Sequence, residues 1–441
     1  MRQDGGRSLP RRLFNEYGML LVLLLLAGLF SALTVKQQYP TGADAGEQVA
    51  ERVLARYPKD AGVMIVTRST REDKEFSAAA LRTLEESDLS DVTVVNGAPP
   101  DLRKAIQKQL DSGRSIDVII ANDVTAKWTV YDRFDEVGSD KCITPRPYTW
   151  PDFLKSTNLI SVANQTAIYA IIAIGMTMVI ICGQIDLSVG SLVALSAIAA
   201  TAYVRDIGGG TGSPVGHVII GCAIAVLCCA LLGAIVGSLV AWVQIPSFIV
   251  TLAVMSMASG TAFRLSNAQS ISELPESFFW LGTGRIAGVP NPVWLMLVLY
   301  VVAHIVMSRT TFGRYVYAIG GNTEAARLSG VPVKPMLVAV FTICGALAGL
   351  GGVIQASQLA AGDPKFGFMY ELEVIAAAVV GGTSLMGGQG KIIGTLIGAF
   401  IIAVIKNGMN LTGVDPFNQK IVLGAVLLAA VWLDTLKRRY S

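Results

Sequence analysis

The chain has 441 residues, of which 52% are hydrophobic and 15% are charged, and its mean hydropathy is +0.55. A soluble domain carries about 25% charged residues, so this composition excludes an ordinary soluble enzyme. The formal net charge of +3 is too small to indicate nucleic-acid binding, and the sequence has no basic stripe with interleaved aromatic residues.

The N-terminal segment combines basic residues with a long apolar run at 17–35. The preceding basic residues are Arg2, Arg7, Arg11 and Arg12. At about 1.5 Å per residue, the run nearly crosses a hydrocarbon core of about 30 Å. A signal peptide is the alternative, with Ser31-Ala32-Leu33 as a loose cleavage region. Because the run is long for a signal core and further apolar segments follow, we predict an uncleaved first transmembrane helix within residues 1–35.

Residues 36–150 have the composition of a soluble domain, with 16 of the 35 Lys and Arg residues and 19 of the 32 Asp and Glu residues. Short apolar runs at 62–66, 91–95 and 117–121 predict three strands, and helical spacing predicts helices at 48–57, 73–86 and 99–110. This alternation predicts an α/β domain with a parallel βαβαβ sheet. No GxGxxG follows the first strand, so a dinucleotide site is not indicated. Pro145, Pro147 and Pro151 predict a linker back to the membrane.

From residue 159 onward, apolar segments alternate with Gly, Pro and polar residues. They lie near 160–182, 187–204, 215–241, 247–266, 292–308, 336–358, 371–382, 391–406 and 419–434. With the first helix they predict a permease domain at 151–436 in a bundle of about ten transmembrane helices. Two segments are too short for a full span, and such helices are tolerated where they pack within protein or line a cavity.

Basic residues in short loops predict the orientation, because such loops face the cytoplasm. They occur at the N-terminus, in the C-terminal tail at 437–441 and in the loop at 309–334. The tail and loop residues are Lys437, Arg438, Arg439, Arg309, Arg314, Arg327 and Lys334. We therefore predict cytoplasmic termini, which ten spans satisfy. Residues 36–150 then lie outside, since long domains translocate regardless of charge.

The loop at 311–331, TFGRYVYAIGGNTEAARLSGV, predicts a turn at Gly320-Gly321-Asn322 followed by a short helix. Thr323 is a candidate N-cap, and Gly330 is placed to end the helix near Leu328. A short capped helix can insert into a groove of a partner protein. From these residues alone, an ordinary solvated connector remains the alternative.

Three carboxylates adjoin apolar segments, where a charge is costly unless it is satisfied. Asp186, with Ser188 beside it, either caps the helix beginning at Leu187 or borders a substrate path. Glu371 and Glu373 flank the start of a later span, where they are either interfacial or in contact with substrate.

The Gly390-Lys391 pair is not a P-loop, because Leu385 occupies the position of the first glycine and Ile392 follows the lysine. The chain therefore has no nucleotide site of its own.

Several longer motifs occur in order along the chain. They are GMTMVI at 175–180, GQIDLSVGS at 183–191, IPSFIVTL at 245–252, the Glu324-Ala325-Ala326 core of the 311–331 loop, and 373–382 with GGQG at 387–390. Over residues 159–436 they resemble the ABC importer permeases of the monosaccharide branch, the ribose, xylose and galactose type. Gln184 stands where that family usually has a second glycine.

The resemblance implies an all-α polytopic bundle of the type II ABC importer kind, which performs no covalent chemistry and binds no metal or cofactor. ATP and Mg would be held by a separate ABC ATPase. The other implied partners are an extracytoplasmic sugar-binding protein, a second permease copy or paralogue, and the lipid bilayer.

The same resemblance implies two sets of site residues. The loop residues that would couple to the ATPase are Gly321, Asn322, Thr323, Glu324, Ala325, Ala326, Arg327 and Gly330. The residues that would border the substrate path are Asp186, Ser188, Ser191, Thr251 and Glu373.

The α/β domain departs from this family, whose members usually connect their first two helices by a short loop. Its element order resembles the N-terminal half-lobe of type I periplasmic sugar-binding proteins. About half of one lobe is present, whereas a complete site needs two lobes. A structural or docking insert and a residual ligand sensor both remain open.

These observations together predict a permease subunit of an ATP-driven sugar importer in the inner membrane. An ion-gradient-driven secondary transporter is the alternative, and it would need ionisable groups within the membrane. A membrane-anchored sensor is a third possibility, although ten spans are excessive for an anchor.

Overall fold

A computed structural model describes residues 9–439 with the exception of Asp88, Ser90 and Asp135. The chain forms two compact units, which divide after Thr34 and after Pro151. The basic groups that predict the orientation of the two termini lie outside the described residues or outside the described side chains. They are Arg2, Arg7, Arg11, Arg12, Lys437, Arg438 and Arg439.

The unit at Val35–Pro151 is an α/β domain. It follows α1 (Leu9–Leu33). In chain order its elements are β1 (Val35–Gln38), α2 (Gly42–Leu54), β2 (Val63–Thr67), α3 (Arg71–Glu85), β3 (Val92–Asn96), α4 (Pro99–Asp111), β4 (Val118–Ala121), β5 (Cys142–Ile143) and β6 (Tyr148–Pro151).

Four parallel strands form its main sheet, in the order β3-β2-β4-β5. Alternating strand residues point to opposite faces. Val63 and Ile65 pack with α2 and α3 on one face, while Met64 and Val66 pack with α4 on the other. Both faces are therefore covered, which explains why β2 is apolar throughout.

The predicted linker after this sheet is paired rather than free. β5 adds to β4, and β6 pairs antiparallel with β1, with Val35 opposite Pro151. β5 is two residues long and β6 is four residues long. The two strands of the β1–β6 pair are separated by more than a hundred residues in the sequence. Short strands without apolar alternation carry too little local pattern to be predicted.

The other unit is helical. From its return at Asp152 its elements are α5 (Ser156–Ile181), α6 (Val189–Asp206), α7 (Val215–Ser238) with a π-helical end at Leu239–Val243, α8 (Ser247–Leu265), α9 (Glu276–Thr283), β7 (Arg285–Ile286), β8 (Val289–Pro290), α10 (Asn291–Arg309), α11 (Thr311–Gly321), α12 (Thr323–Leu328), α13 (Val333–Leu359), α14 (Tyr370–Val380), α15 (Ile392–Leu411) and α16 (Pro416–Arg439).

Among the described residues, seven of these helices are long and apolar enough to cross a membrane, namely α5, α6, α7 with its π-helical end, α8, α10, α13 and α15. The predicted span at 371–382 is the 11-residue α14, which is too short to cross alone. The count of ten spans stays a prediction.

The helical unit has a buried centre and an apolar surface. α5 is buried along most of its length, and α13 packs against it and against α7. Small residues permit this packing, with Gly345 of α13 facing the backbone of Cys229 in α7. In contrast, α7, α8 and α10 expose large apolar side chains such as Leu231, Met257 and Val301. A surface of this kind suits lipid rather than water.

Candidate transport cavity and coupling segment

A cavity of about 710 Å³ lies within the helical unit. It is lined by the first turns of α6, by one side of α8, and by the segment that connects α13 to α14. Its volume falls in the range of small-molecule sites, which is about 300–1,000 Å³.

The floor of the cavity is a close approach between α6 and the segment before α14. Gly367 adopts a φ of +69°, and a Cβ on either Gly190 or Gly367 would overlap the backbone of the other. A Cβ on Gly190 would also lie 2.5 Å from Oε2 of Glu371. Glycine at these two positions therefore lets the Glu371 carboxylate lie against the start of α6.

The lining combines hydrogen-bonding groups with apolar surface. Ser191, Ser256 and Ser259 contribute hydroxyls, and Lys365 and Glu371 contribute opposite charges. Apolar lining comes from Ala194, Met255, Phe263, Phe366, Phe368 and Met369. This arrangement can bind and orient a small hydroxylated solute.

The predicted path residues are not gathered at this cavity. Ser191 lines it, whereas Asp186, Ser188, Thr251 and Glu373 are not among its lining residues. The predicted path does not include Ser256, Ser259, Lys365 or Phe263. The prediction for Glu371 allows either an interfacial position or contact with substrate. Hydroxyls spaced along an apolar helix were the available signal, but the rotation of the helix could not be read from them.

Asp186 and Ser188 lie in the turn between α5 and α6, and both are buried. Oδ1 of Asp186 accepts hydrogen bonds from the Ser188 backbone N–H at 2.9 Å and from its Oγ at 2.6 Å. The helix begins at Val189 rather than at Leu187. This geometry agrees with a local role for Asp186 in shaping the start of α6. Thr251 is fully buried within α8, where its hydroxyl donates to the Phe248 carbonyl oxygen.

Glu373 forms an ion pair inside the helical unit. Nζ of Lys406 on α15 lies 2.9 Å from Oε1 and 3.0 Å from Oε2 of Glu373 on α14. The same Nζ lies 4.8 Å from the ring centroid of Tyr169, and that ring packs on Tyr370 at 4.6 Å. Both ion-pair side chains are largely covered, being 28% and 19% exposed. The carboxylate is therefore engaged in joining α14 to α15.

The 311–331 loop consists of the two helices α11 and α12. Asn322, rather than the predicted Thr323, caps α12 by accepting a hydrogen bond from the Ala325 N–H at 2.9 Å. The Thr323 hydroxyl donates instead to the Ile319 carbonyl oxygen of α11. Glu324 and Arg327 pair with each other at 2.8 Å on the exposed side. Gly330 follows the helix with a φ of +84°.

α12 is a surface helix that exposes one large apolar side chain. Ala326 is its buried residue, which anchors it to the bundle. Leu328 at its last position is 81% exposed. A partner protein that covered this leucine would remove its apolar surface from water, which favours association. Leu328 is not among the predicted coupling residues, although an apolar residue shortly after the Glu-Ala-Ala core was a usable signal.

In the α/β unit, the polar residues at the carboxyl ends of the strands satisfy one another. Arg68 donates to Asp73 through its backbone N–H at 3.0 Å and through Nε at 2.7 Å. Burial works against ionisation of Asp73, but the hydrogen bonds from Arg68 outweigh it and hold the pKa of the carboxyl below its usual value. Asn122 is buried and accepts hydrogen bonds from the Val124 and Thr125 N–H groups.

Comparison with known proteins places residues 158–431 in the family described as branched-chain amino acid transport system, permease component. The ribose import permease protein RbsC of Escherichia coli strain K12 is 41% identical over 292 residues, which are 65% of this chain and 88% of RbsC. No solved structure gives a significant match.

Two further relatives have different names. The L-arabinose ABC transporter permease protein AraH of Azospirillum brasilense is 38% identical over 290 residues, 66% of this chain and 83% of AraH. The xylose transport system permease protein XylH of Escherichia coli strain K12 is 36% identical over 358 residues, 67% of this chain and 89% of XylH. The family match begins after the α/β unit.

Proposed function

This chain belongs to the family described as branched-chain amino acid transport system, permease component, and from that premise we propose that it is the membrane-spanning subunit of an ATP-binding cassette importer for a small sugar. The observation that carries the proposal is the cavity in the helical unit, with three serine hydroxyls and the Glu371 carboxylate along its wall. The chain itself performs no covalent step and binds no cofactor.

The substrate class follows from the relatives and from the chemistry of the cavity. Three relatives are named for ribose, L-arabinose and xylose, all of which are pentoses. Hydroxyl and carboxylate groups accept hydrogen bonds from sugar hydroxyls, while Phe263 and Phe366 offer apolar surface to the ring. We infer a sugar of about pentose size.

A second copy of this chain, or a paralogue, would complete the transport path. On α8, Ser256, Gly260 and Thr261 are exposed beside large exposed apolar side chains such as Met257. Small residues four positions apart favour close packing of membrane helices. Ser256 also lines the cavity, so a partner packed on this side of α8 would close it.

ATP and Mg would be bound by a separate ATPase, which would dock on α12. The predicted coupling residues from Gly321 to Arg327 and Gly330 lie in or beside this helix, and exposed Leu328 would add an apolar contact. Closure of the ATPase would move α12 and open the cavity to the opposite side of the membrane.

The chain is a multi-pass protein of the inner membrane, with both termini and α12 proposed to be cytoplasmic. Residues 36–150 would then be extracytoplasmic, where an external sugar-binding protein delivers substrate. We propose that the α/β unit is a docking insert for that protein, since its strand-end polar groups are already paired with one another.

The test is uptake of radiolabelled ribose, xylose and L-arabinose into vesicles that contain this chain, the ATPase and the binding protein. We expect uptake of at least one pentose that requires ATP and all three components. Uptake that persists without the ATPase and collapses when an uncoupler is added would instead establish the ion-gradient-driven transporter.

A further inference from the structure

The last turn of α11 is packed directly on two other backbone segments. A Cβ on Gly320 would overlap the carbonyl oxygen of Ile181 at the end of α5, and it would lie 2.5 Å from the backbone nitrogen of Gly388. Gly387 also packs on this turn of α11, because a Cβ on Gly387 would lie 2.9 Å from the Gly320 carbonyl oxygen. We call Gly320, Ile181, Gly387 and Gly388 the glycine junction.

Hydrogen bonds hold the glycine junction together. The Gly388 N–H donates to the Ile181 carbonyl oxygen at 2.8 Å. The Tyr317 hydroxyl of α11 donates to the Gly390 carbonyl oxygen at 2.8 Å. Gly387 and Gly388 have φ values of +84° and +73°, a conformation that other residues adopt only with strain. The loop at 384–390 is therefore shaped to fit against α11.

The same loop connects α14 to α15, and both helices are tightly joined beyond it. A Cβ on Gly398 of α15 would overlap the Ala377 carbonyl oxygen of α14. Thr395 of α15 and Thr177 of α5 share a hydrogen bond of 2.7 Å. At the far end of α14, Glu371 lines the cavity. A continuous chain of backbone contacts thus runs from α11 to the cavity.

We propose that the glycine junction is the mechanical link through which movement of α11 and α12 displaces the 384–390 loop and α14, and so moves Glu371 at the cavity. This inference rests on the proposed docking of an ATPase on α12. Backbones packed this closely leave no void into which one segment could slide past the other. α11 and the loop therefore move as one body.

The first test compares variants in ATP-driven sugar uptake per ATP hydrolysed by the reconstituted complex. We expect Gly320→Ala to lower this ratio at least about fivefold, a typical size for coupling between two sites. Tyr317→Phe removes a hydrogen bond without adding bulk, and it should lower the ratio about twofold or more. This variant keeps the test decisive if Gly320→Ala fails to assemble.

The matched control is Gly424→Ala in α16. A Cβ at Gly424 meets no atom within 4 Å, so the same substitution should leave the ratio unchanged. A normal ratio in both Gly320→Ala and Tyr317→Phe, with normal amounts in the membrane, would overturn the proposal.

The second test measures the distance between spin labels on Arg314→Cys and Met386→Cys, which replace exposed residues on α11 and on the loop. We expect the same distance with and without ATP, and a nucleotide-dependent distance once Gly320→Ala is added. A distance that changes with nucleotide in the otherwise unaltered chain would show that the two segments move separately.

Different results would contradict the mechanical link at the glycine junction and the docking of an ATPase on α12. If Leu328→Ala uncouples transport while the junction variants do not, only the mechanical link is wrong. If Leu328→Ala and Glu324→Gln leave coupling intact as well, the docking of an ATPase on α12 is wrong.

Discussion

Glu371 presents a carboxylate to the cavity from the first turn of α14, beside the backbone of Gly190. A carboxylate in this position can accept hydrogen bonds from two sugar hydroxyls, and hydrogen bonds to a charged group contribute about 1.5–3 kcal/mol each. Glu371→Gln keeps the shape and removes the charge. We expect ATP-driven sugar uptake to fall about tenfold, since about 1.4 kcal/mol corresponds to a factor of ten.

The control for this change is Glu276→Gln, which removes the same charge from an exposed position at the start of α9. Its uptake should equal that of the unaltered chain. Equal uptake in Glu371→Gln would show that the cavity wall at α14 does not contact the solute.

Asp73 accepts hydrogen bonds from Arg68 in the α/β unit. Its folded pKa lies below the usual value, so its ionised form stabilises this unit above the unfolded pKa of about 4. That contribution is lost as the pH falls through the lower, folded value. Asp73→Asn should therefore destabilise the unit at pH 7, by about 1–3 kcal/mol, and should have progressively less effect in acid.

Hydrogen exchange of the β2 and α3 amides in the full-length protein measures this change. Glu75→Gln is the matched control on the same helix, because its pair with Arg71 is exposed and contributes less than about 1 kcal/mol. Equal protection of the amides in Asp73→Asn and Glu75→Gln would contradict a stabilising role for Asp73.

The pair of Lys406 and Glu373 joins α14 to α15, so it contributes to the packing of these two helices. Removing one partner leaves an unpaired charge among apolar helices, which is more costly than removing both. We expect Lys406→Met and Glu373→Gln each to lower the thermal stability of the purified protein. The double variant should recover most of the loss.

This double-mutant cycle separates the ion pair from simple packing. The interaction energy between contacting charges is typically about 0.5–3 kcal/mol. If the two losses add in the double variant, the groups do not interact, and Glu373 would again be available for the solute.

The helices also show which parts of the fold can be predicted from sequence. The long apolar helices begin and end within a few residues of the predicted segments, because twenty consecutive apolar residues carry their own signal. The β1–β6 pair and the β7–β8 hairpin were missed, since strands of two to four residues depend on partners elsewhere in the chain. At the cavity, Ser191 was predicted, but Ser256 and Ser259 required the rotation of α8, which only packing determines.

α12 carries the prediction for the docking of the ATPase. Leu328 is 81% exposed, and a leucine buried by a partner contributes through the apolar area removed from water. Leu328→Ala should therefore weaken co-purification of the ATPase and lower ATP-driven uptake. Leu231→Ala on α7 is the matched control, because Leu231 is 65% exposed on a helix that faces lipid. Equal behaviour of the two variants would argue against docking at α12.

The exposed side of α8 predicts how two copies of the chain meet. Its exposed Gly260 has no atom within 4 Å of a Cβ position, so the site has room for a second backbone. Gly260→Cys in one copy should lie close to Gly260→Cys in the other and form a cross-link in membranes under mild oxidation. The bond would require an approach of about 4–7 Å between the two Cα atoms.

Val301→Cys on α10 is the control, since Val301 is 59% exposed on a helix that does not line the cavity. Because Ser256 lies one turn from Gly260 and lines the cavity, substrate in the cavity should slow the cross-link at 260. Cross-linking at 301 but not at 260 would place the partner on α10. The cavity would then face lipid, and a hydroxylated solute could not pass through the lipid.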